Sequence, residues 1–364
     1  MAPAFDTHSR DPEQVAELFR YFAEVETPRL QSRVYTDYCA GIAEDPKLLE
    51  LACRTIPSQP PPNVFFAAVK DLLLEDAERS DEARALARFY PAVSGGAIPD
   101  ESAFPAFRAF CLAHEDELDP ALRSGRTQTC VVHRAAIMLP AIGTLPRVVA
   151  ANGRVGLLEI GPSLGLNLRL DHYRFVYEVA ESARTWGADD VRPELVCSVR
   201  GGTLPLPSRL EIVARQGLEL SPIDVHDQRA VRWLRALIWP EHVERGRLMD
   251  EAIAVAERVP ADIVAGDATT DVEAAVARLP ADAPRVVFAT VALYQIDEAG
   301  QRAIHEALAR ASASQPLDFV TMESNGQGVT QVDHFAFEAG ERVASRVLAE
   351  ADSHGRWIDW RVDR

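Results

Sequence analysis

Three acidic residues in the second half of the chain each follow an apolar stretch. Glu159, Glu219 and Asp267 come after the segments 155–158, 210–218 and 261–266. Short apolar runs that alternate with helical patterns are typical of buried parallel strands. Because the carboxyl ends of parallel strands meet at one edge of a sheet, we expect the three carboxylates to line one crevice. Carboxylates accept hydrogen bonds from hydroxyl and amino groups, which the ribose and adenine of a nucleoside provide.

A bend of small residues follows the first of these acids. Gly161 and Gly165 are four positions apart, Ser163 lies between them, and Asn167 lies in the helix-competent segment that comes next. Glycines let a ligand approach the backbone closely, and the first N–H groups of a helix are unpaired donors. The bend therefore predicts a nucleoside-bearing cofactor at this edge of the sheet.

Acids in such positions also have a purely structural interpretation. An aspartate or glutamate after a strand commonly caps the helix that follows. For any one of the three acids this interpretation stays open. Three acids in register, with the glycine bend at the first, favour the nucleoside site.

Composition narrows the class of partner. The 364 residues carry a net charge of −17, with 55 acidic and 38 basic residues. A nucleic-acid surface needs clustered positive charge to displace counterions, and the sequence has no long Lys/Arg run. We predict a small-molecule substrate and no nucleic-acid partner. The sequence carries no signal for an oligomeric state.

The amino terminus and the cysteines bear on the compartment. Residues 1–10 lack the apolar core of a secretory signal, and no apolar run approaches the roughly 20 residues that span a bilayer. The five cysteines are scattered and form no CxxC or Cys/His cluster. Asp224, His226 and Asp227 share one loop, which is typical of a polar turn that caps a helix. We predict a cytoplasmic protein with no membrane partner and no metal site.

Helical patterns dominate the first part of the chain. Asp11-Pro12-Glu13 is a typical helix start, with a capping acid and a proline at the first helical position. Apolar residues then recur at helical spacing, and no convincing strand precedes residue 150. These patterns predict an all-helical domain at residues 1–150.

Strand-like segments alternate with helices from residue 151 onward. The pattern predicts an α/β fold, a Rossmann-like doubly wound and mostly parallel sheet spanning residues 151–364. After a half-exposed strand at 173–177, the glycines and prolines up to residue 208 predict an insertion of hairpins or loops at about 170–208. The other predicted strands are 155–159, 210–219 and 261–267, each ending on an acid, and 285–290, 317–322, 343–349 and 356–362.

The acids and the bend resemble the motifs of class I S-adenosylmethionine-dependent methyltransferases. Glu-Ile-Gly-Pro-Ser-Leu-Gly at 159–165 resembles their first motif, with Ser163 in place of the middle glycine. The segment 217–222 resembles the second motif, whose acid holds the ribose hydroxyls, and Gly266-Asp267 resembles the third, whose acid faces the adenine amine. The segment 287–294 is similar to the fourth strand, which meets substrate, but lacks an Asn-Pro-Pro-Tyr type signature.

A second resemblance covers nearly the whole chain. The stretches 163–168, 171–174, 233–240 and 354–357 resemble the bacterial family catalogued as domain of unknown function 2332. That family has Gln-Thr-Asn-Glu where this chain has Gln128-Thr129-Cys130-Val131, so a polar pair is missing. The family is known mainly as methyltransferase-like, which implies a fold more than a reaction.

The resemblances imply S-adenosylmethionine as cofactor and an unidentified small molecule as methyl acceptor. The predicted cofactor-binding residues are Glu159 for the amino group, Gly161, Ser163, Gly165 and Asn167 around the methionine part, Glu219 for the ribose and Asp267 for the adenine amine. Methyl transfer from a sulfonium needs mainly alignment of acceptor and methyl carbon. Tyr294 and His172 are the candidate catalytic residues.

Two other functions stay open. Gly161-Pro162-Ser163-Leu164-Gly165 also fits G-x-S-x-G, the nucleophile elbow of α/β hydrolases, with His305, His334 or His354 as base. A hydrolase elbow follows several sheet strands, however, and the preceding residues here are predicted to be helical. The other alternative is a non-catalytic protein that binds a nucleoside cofactor on a degenerate methyltransferase scaffold. The lack of an obvious base and the serine in the bend support it.

Overall fold

The computed structural model describes residues 9–94, 96–201, 203–326 and 329–361. Contacts divide the chain into two compact units. The first unit holds residues up to 129 together with 227–247, and the second holds 130–226 together with the residues from 248 onward. Most of the predicted amino-terminal segment, 1–8, and the end of the predicted last strand, Val362, lie outside the described residues.

The described residues form fifteen α-helices and four short helical turns. A π-helical turn covers Phe22–Glu26, and 3₁₀ turns cover Val132–Arg134, Leu166–His172 and Leu293–Gln295. In chain order the helices are α1 (Pro12–Tyr21), α2 (Thr27–Arg29), α3 (Arg33–Ala43), α4 (Pro46–Ala52), α5 (Pro61–Glu75), α6 (Asp81–Ala87), α7 (Pro91–Ser94), α8 (Ala103–Ala113), α9 (Glu115–Ser124), α10 (Ala135–Gly143), α11 (Pro146–Ala150), α12 (Gln228–Ala236), α13 (Val243–Ala256), α14 (Ala268–Ala277) and α15 (Glu298–Ala311).

The regular secondary structure in the described part of the first unit is all helical, as the apolar spacing predicts. The Asp11 side chain accepts hydrogen bonds from the backbone N–H groups of Glu13 and Gln14, so the predicted cap begins α1. The core of this unit is rich in aromatic rings. Tyr35 stacks on Phe66 with ring centroids 4.1 Å apart. Among the described residues, no helix combines the length and apolar character that a membrane crossing requires.

Residues 227–247 join the helical unit through charged contacts with α5. Lys70, which is only 2% exposed, donates from Nζ to the carbonyl oxygen of Arg235 at 3.1 Å. Arg232 binds Asp71 through two hydrogen bonds of 2.9 and 3.1 Å. A buried ammonium requires such acceptors, because an unpaired charge away from water is costly.

Residues 130–150 belong to the second unit, although the predicted boundary lies near residue 150. The Tyr177 hydroxyl donates to the carbonyl oxygen of Ala136 at 2.8 Å. Arg147 pairs with the buried Asp318 at 2.8 Å. These contacts fasten α10 and α11 to the sheet, so the division follows tertiary contacts that the helical pattern does not reveal.

The second unit contains an eleven-stranded mixed sheet in its described part, which makes it an α/β structure. The strands are β1 (Arg154–Ile160), β2 (Arg174–Val179), β3 (Ser182–Trp186), β4 (Glu194–Arg200), β5 (Glu211–Glu219), β6 (Asp262–Ala265), β7 (Arg285–Thr290), β8 (Leu317–Ser324), β9 (Thr330–Glu338), β10 (Glu341–Ala351) and β11 (Trp357–Trp360). Their order across the sheet is β3-β2-β4-β11-β10-β9-β8-β7-β1-β5-β6.

One half of this sheet is wholly parallel. Strands β6, β5, β1, β7 and β8 run in the same direction in that spatial order. Parallel strands with both faces covered are nearly continuous apolar runs, and β1 and β7 are accordingly buried over most of their length. The sequence pattern therefore predicts these five strands correctly.

The other half of the sheet differs from the predicted strands in direction, number and extent. Strands β9 and β10 run antiparallel to their neighbours, and β9 is absent from the predicted strands. The predicted insertion at about 170–208 contributes β2, β3 and β4, which are part of the same sheet. The segment after the glycine bend forms a 3₁₀ turn and not an α-helix, and Arg169 within it departs from helical geometry.

Candidate functional site

The carboxyl ends of β1, β5, β6 and β7 lie at one edge of the sheet. Ile160 is level with Leu218 of β5 and with Ala289 of β7, while Glu219 is level with Ala265 of β6. The acids that end β1, β5 and the β6 segment therefore share one edge, as their spacing predicts. Between β1 and β7 the order of the parallel strands changes direction, and open α/β sheets bind ligands at such a point.

Glu159 is buried at this edge with an incompletely satisfied carboxyl group. Its residue exposure is 1%, and its Oε1 accepts a long hydrogen bond of 3.5 Å from Nδ2 of Asn167. Glu159 Oε2 and Asn167 Oδ1 are both buried without a hydrogen-bond partner among the described residues. Buried polar atoms are nearly always paired, so two adjacent unpaired oxygens indicate a place where a ligand or water binds.

Burial controls the charge of Glu159. Loss of solvent raises the pKa of this carboxyl group to about 8. The hydrogen bond from Asn167 and the positive charges of Arg134 and Arg169 lower the pKa, but they only partly offset burial. Burial, together with the nearby Glu159, also raises the pKa of the Cys130 thiol to about 12. At neutral pH both groups are mainly protonated.

Glu219 binds the backbone of the glycine bend. Its Oε2 accepts a hydrogen bond of 2.9 Å from the N–H of Ser163, and its Oε1 accepts one of 3.3 Å from the N–H of Ser221. The residue is 8% exposed. A carboxylate has about four lone-pair sites, so each oxygen keeps the capacity to accept a further hydrogen bond.

The bend itself is open on one side only. Gly161 is exposed, and a Cβ built there meets just Ala292 Cβ, at 2.9 Å. Gly165 is buried, and a Cβ built there lies 2.7 Å from Ile263 Cδ1 and 3.0 Å from Arg169 Nη1. Backbone contact with a ligand is therefore possible at Gly161, whereas Gly165, with its φ of +69°, serves the turn.

Arg169 explains why the far side of the bend is closed. Its guanidinium donates to the carbonyl oxygen of Gly165 at 2.6 Å and to that of Leu164 at 3.2 Å. Its Nε donates to the carbonyl oxygen of Val259 at 2.9 Å. These contacts place an arginine where the sequence pattern predicts a regular helix, and they account for the irregular 3₁₀ turn.

Asp267 caps α14. Its Oδ1 accepts hydrogen bonds from the backbone N–H of Thr269 at 2.8 Å and from the hydroxyl of the same residue at 2.7 Å. The side chain is exposed at the same edge as Glu219. The structural role considered for these acids is therefore present at this position, and only the second oxygen, Oδ2, remains for a ligand.

The two predicted catalytic residues lie in different places. Tyr294 is in the 3₁₀ turn that follows β7, at the candidate edge, and is 66% exposed. His172 lies next to Asp171, whose carboxylate accepts from the N–H of Ile212 at the beginning of β5. Because Glu219 ends the same strand, His172 is at the opposite end of β5. The assignment of His172 to this site is thus corrected.

Two charged residues at this edge were missed from the sequence. Glu323, near the end of β8, accepts at Oε1 from the N–H groups of Ala292 and Leu293 at 2.8 and 3.0 Å. Arg134 is 9% exposed and donates to the carbonyl oxygen of Thr290 at 2.8 Å. Both residues could have been found from sequence features. Glu323 directly follows the predicted strand 317–322, and Arg134 interrupts the apolar run 131–142.

Burial and neighbouring acidic groups shift the pKa of Arg134 in opposite directions. Burial lowers the pKa of its guanidinium, and Cys130, Glu323 and Glu159 oppose that shift. Burial likewise raises the pKa of the Glu323 carboxyl group, while the backbone N–H groups of Leu293 and Ala292 lower it. Arg134 thus interacts with the carboxyl groups of Glu159 on β1 and Glu323 on β8, and Arg169 also interacts with Glu159.

The backbone is strained on both sides of the point where the strand order changes. Ser163 has a φ of +54° and Val291 a φ of +50°. Positive φ is a genuine outlier for a β-branched residue such as valine. Strained residues of this kind cluster at functional sites, where the surrounding structure holds them in place. The loops after β1 and β7 are therefore the best candidates for ligand contact.

Of the histidines considered for a hydrolase, His334 has both ring nitrogens bound by other side chains. His334 Nε2 lies 2.7 Å from Asp318 Oδ1, and its Nδ1 accepts from Arg346 Nε at 3.1 Å. Both ring nitrogens are therefore bound, and none remains to take a proton from Ser163. The ring of His305 packs edge-on against Phe335 with centroids 4.8 Å apart.

The residues considered for a metal form local turns. The N–H of His226 donates to Asp224 at 2.9 Å. Asp227 caps α12 through the N–H groups of Arg229 and Ala230. Within the described ranges, no three His, Cys, Asp or Glu side chains are grouped to hold a metal ion.

Comparison with known proteins identifies a family. Residues 16–360 match the family described as uncharacterised proteins conserved in bacteria, domain of unknown function 2332. No curated protein and no solved structure matches the chain.

Proposed function

The chain belongs to this bacterial family, and from that premise we propose that its second unit is an S-adenosylmethionine-dependent methyltransferase that acts on a small molecule. The observation that carries the proposal is the shared edge of Glu159, Glu219 and Asp267, with Glu159 Oε2 buried and unpaired among the described residues. A nucleoside with an amino-acid tail offers donors for all three carboxyl groups.

The strand order supports a nucleotide-type site. The parallel strands follow the order β6-β5-β1-β7-β8, and the connections move outward from β1 to one side and then from β7 to the other. Ligands of doubly wound sheets bind outside the carboxyl ends of the strands at the position where the order reverses. The exposed Gly161 lies at this position, beside Ala292.

The residues at the edge fit the cofactor in their donor and acceptor chemistry. Glu159 Oε2 and Asn167 Oδ1 would accept from its ammonium group, which would replace the partners that these oxygens lack. Glu219 would accept from the ribose hydroxyls with the lone pairs that its two backbone contacts leave. Asp267 Oδ2 would accept from the adenine amine, and Leu220, 74% exposed, offers an apolar surface for the ring.

When bound, the cofactor supplies an electrophilic methyl group on a sulfonium. The protein then has to orient the acceptor and exclude competing water, since alignment provides most of the acceleration in such a displacement. The polar side chains of Arg134, Tyr294 and Glu323 lie in or beside the loop after β7. We assign the acceptor to this side of the edge.

Titration calorimetry with the intact protein tests the proposal. S-adenosylmethionine and S-adenosylhomocysteine should both bind, and adenosine triphosphate, which has no ammonium group, should bind at least tenfold more weakly. Incubation with methyl-labelled cofactor and a bacterial metabolite extract should release S-adenosylhomocysteine. The proposal is refuted if neither S-adenosylmethionine nor S-adenosylhomocysteine binds. Binding without release in any extract would favour the non-catalytic alternative.

A further inference from the structure

The carboxyl group of Glu323 is held in a fixed orientation by the loop after β7. Its Oε1 accepts two backbone hydrogen bonds, from Ala292 at 2.8 Å and from Leu293 at 3.0 Å. Its Oε2 is buried and has no hydrogen-bond partner among the described residues. The carboxyl group therefore keeps one oxygen, Oε2, that can accept a hydrogen bond from a ligand.

The unpaired atoms at this edge are all oxygens. The buried side-chain atoms without a hydrogen-bond partner at this edge, among the described residues, are Glu159 Oε2, Asn167 Oδ1 and Glu323 Oε2. A carboxylate or phosphate ligand would bring further acceptors to acceptors, which repel. A ligand with N–H groups would satisfy these oxygens.

The surroundings of Glu323 also favour an amine. Glu159 is mainly protonated at neutral pH, so the carboxylate of Glu323, when ionised, is the negative group that an amine would meet beside Arg134. Tyr294, 66% exposed, interacts electrostatically with Arg134 and Glu323 and presents an aromatic ring to solvent. Aromatic faces attract cations and apolar groups. An amino group attached to an apolar body would match both features.

We propose that the methyl acceptor is a primary or secondary amine whose N–H group is bound by Glu323 Oε2, with its apolar part against Tyr294. This inference rests on the proposed methyltransferase function for the source of the methyl group. Recognition of the amine by Glu323 is independent of that source and is measured separately.

The transfer step is balanced with Glu323 as proton acceptor. The bound ammonium group would first give one proton to the Glu323 carboxylate, which leaves a neutral amine. The lone pair of its nitrogen would then form a bond to the methyl carbon, and the electrons of the breaking carbon–sulfur bond would remain on sulfur, which becomes a neutral thioether. The methylated nitrogen would carry the positive charge and leave as an ammonium group. The carboxyl group then returns the proton to solvent.

Three probes that share a phenylethyl group and differ in charge and hydrogen-bonding capacity test the inference. We would titrate the intact protein, with and without S-adenosylhomocysteine, with phenethylamine, N,N,N-trimethylphenethylammonium and 3-phenylpropionate. Phenethylamine should bind at least tenfold more tightly than both others, because only it is a cation with N–H donors. Equal binding of the trimethyl compound, or tighter binding of the carboxylate, would overturn the inference without any variant.

Variants locate the preference. Glu323→Gln keeps an oxygen for the N–H groups of Ala292 and Leu293 but replaces the accepting oxygen with an NH₂ donor. It should reduce the preference for phenethylamine to less than threefold. Glu306→Gln removes the same charge from an exposed position of α15 and should leave the preference unchanged. An unchanged preference in a folded Glu323→Gln protein, checked by circular dichroism, would overturn the assignment to Glu323.

The two levels of the proposal fail separately. If S-adenosylhomocysteine does not bind but phenethylamine is preferred through Glu323, amine recognition is supported and the methyltransferase proposal falls. If S-adenosylhomocysteine binds and phenethylamine is not preferred, the cofactor site stands and the amine inference falls.

Discussion

The carboxylate of Glu219 accepts a hydrogen bond from the backbone N–H of Ser163, 2.9 Å away. The contact joins the end of β5 to the bend after β1, where Ser163 has a φ of +54°. Glu219 thus stabilises the conformation of the bend, and any ligand contact that it makes is additional to this role. Its substitution should affect both the stability of the unit and the binding of a ligand.

Substitution of Glu219 should separate these two effects. Glu219→Ala leaves the N–H of the buried Ser163 without its acceptor, which should lower the free energy of unfolding by about 1–3 kcal/mol. Glu219→Gln keeps one carbonyl acceptor and should be less destabilising. Urea denaturation checks the stability, and calorimetry should show at least a tenfold loss of S-adenosylhomocysteine affinity in both variants. Glu257→Ala, at an exposed position of the same unit, is the matched control.

Glu159 should make the stability of the second unit dependent on pH. Its pKa is about 8 in the folded chain against an ordinary value of 4.5. Between these values the unfolded chain binds fewer protons than the folded chain. The free energy of unfolding should therefore fall as pH rises through this range, by at most about 1.4 kcal/mol per pH unit. The contribution is complete below the lower value and lost above the higher one.

Comparison with Glu159→Gln isolates this contribution. The amide does not titrate, so the variant should be similar to the unsubstituted protein at about pH 4.5 and more stable than it at about pH 8.5. Urea denaturation across the range gives the difference. Parallel pH profiles for the two proteins would show that Glu159 ionises in the folded chain at an ordinary pKa.

The two glycines of the bend should respond differently to alanine. A Cβ at Gly165 would lie 2.7 Å from Ile263 Cδ1, so Gly165→Ala should destabilise the unit by roughly 2 kcal/mol or more. At Gly161 the nearest atom is Ala292 Cβ, and Gly161→Ala should cost about 1–2 kcal/mol, mainly because its φ is +65°. Gly161→Ala should also weaken S-adenosylhomocysteine binding, because the added methyl group lies on the open side of the bend. Gly165→Ala should not have this effect. Unchanged affinity in Gly161→Ala would contradict ligand contact at the open side.

Substitution of Asp267 tests whether the residue that caps α14 also binds a ligand. Asp267→Ala removes the acceptor for Thr269 and should cost about 1 kcal/mol of stability. Asp267→Ser preserves a capping oxygen and should keep the stability. If the second oxygen holds the adenine amine, both variants should bind S-adenosylhomocysteine several-fold more weakly. Full affinity in Asp267→Ser would leave Asp267 with the capping role alone.

The central strands of the parallel half, β1, β7 and β8, were predictable because they are buried on both faces. The apolar runs at β1 and β7 and the acids after β1 and β5 are visible in the sequence without knowledge of any partner. Strand β9 was not predictable in this way. Its inward positions include Thr330 and His334, and the buried His334 depends on Asp318 across the strand pair. Such a polar pair hides the alternation of apolar and polar residues that reveals a half-buried strand.

The residues of the candidate site were predictable where they lie at the carboxyl ends of strands. Glu159 and Glu219 lie at the predicted edge, and Glu323 likewise lies near the end of a parallel strand. Arg134 comes from a helical segment before the sheet, and its approach to Thr290 is a tertiary contact that local pattern does not encode. His172 was misplaced because Arg169 binds the bend and redirects the chain toward the beginning of β5.

The most direct test of the proposed cofactor site is a crystal structure of the protein grown with S-adenosylhomocysteine. We predict the adenosine at the carboxyl edge of β1, β5 and β6, with ribose hydroxyls within hydrogen-bond distance of Glu219 and the ammonium group beside Glu159 and Asn167. A ligand bound elsewhere, or an edge that contains only solvent at saturating ligand, would contradict it.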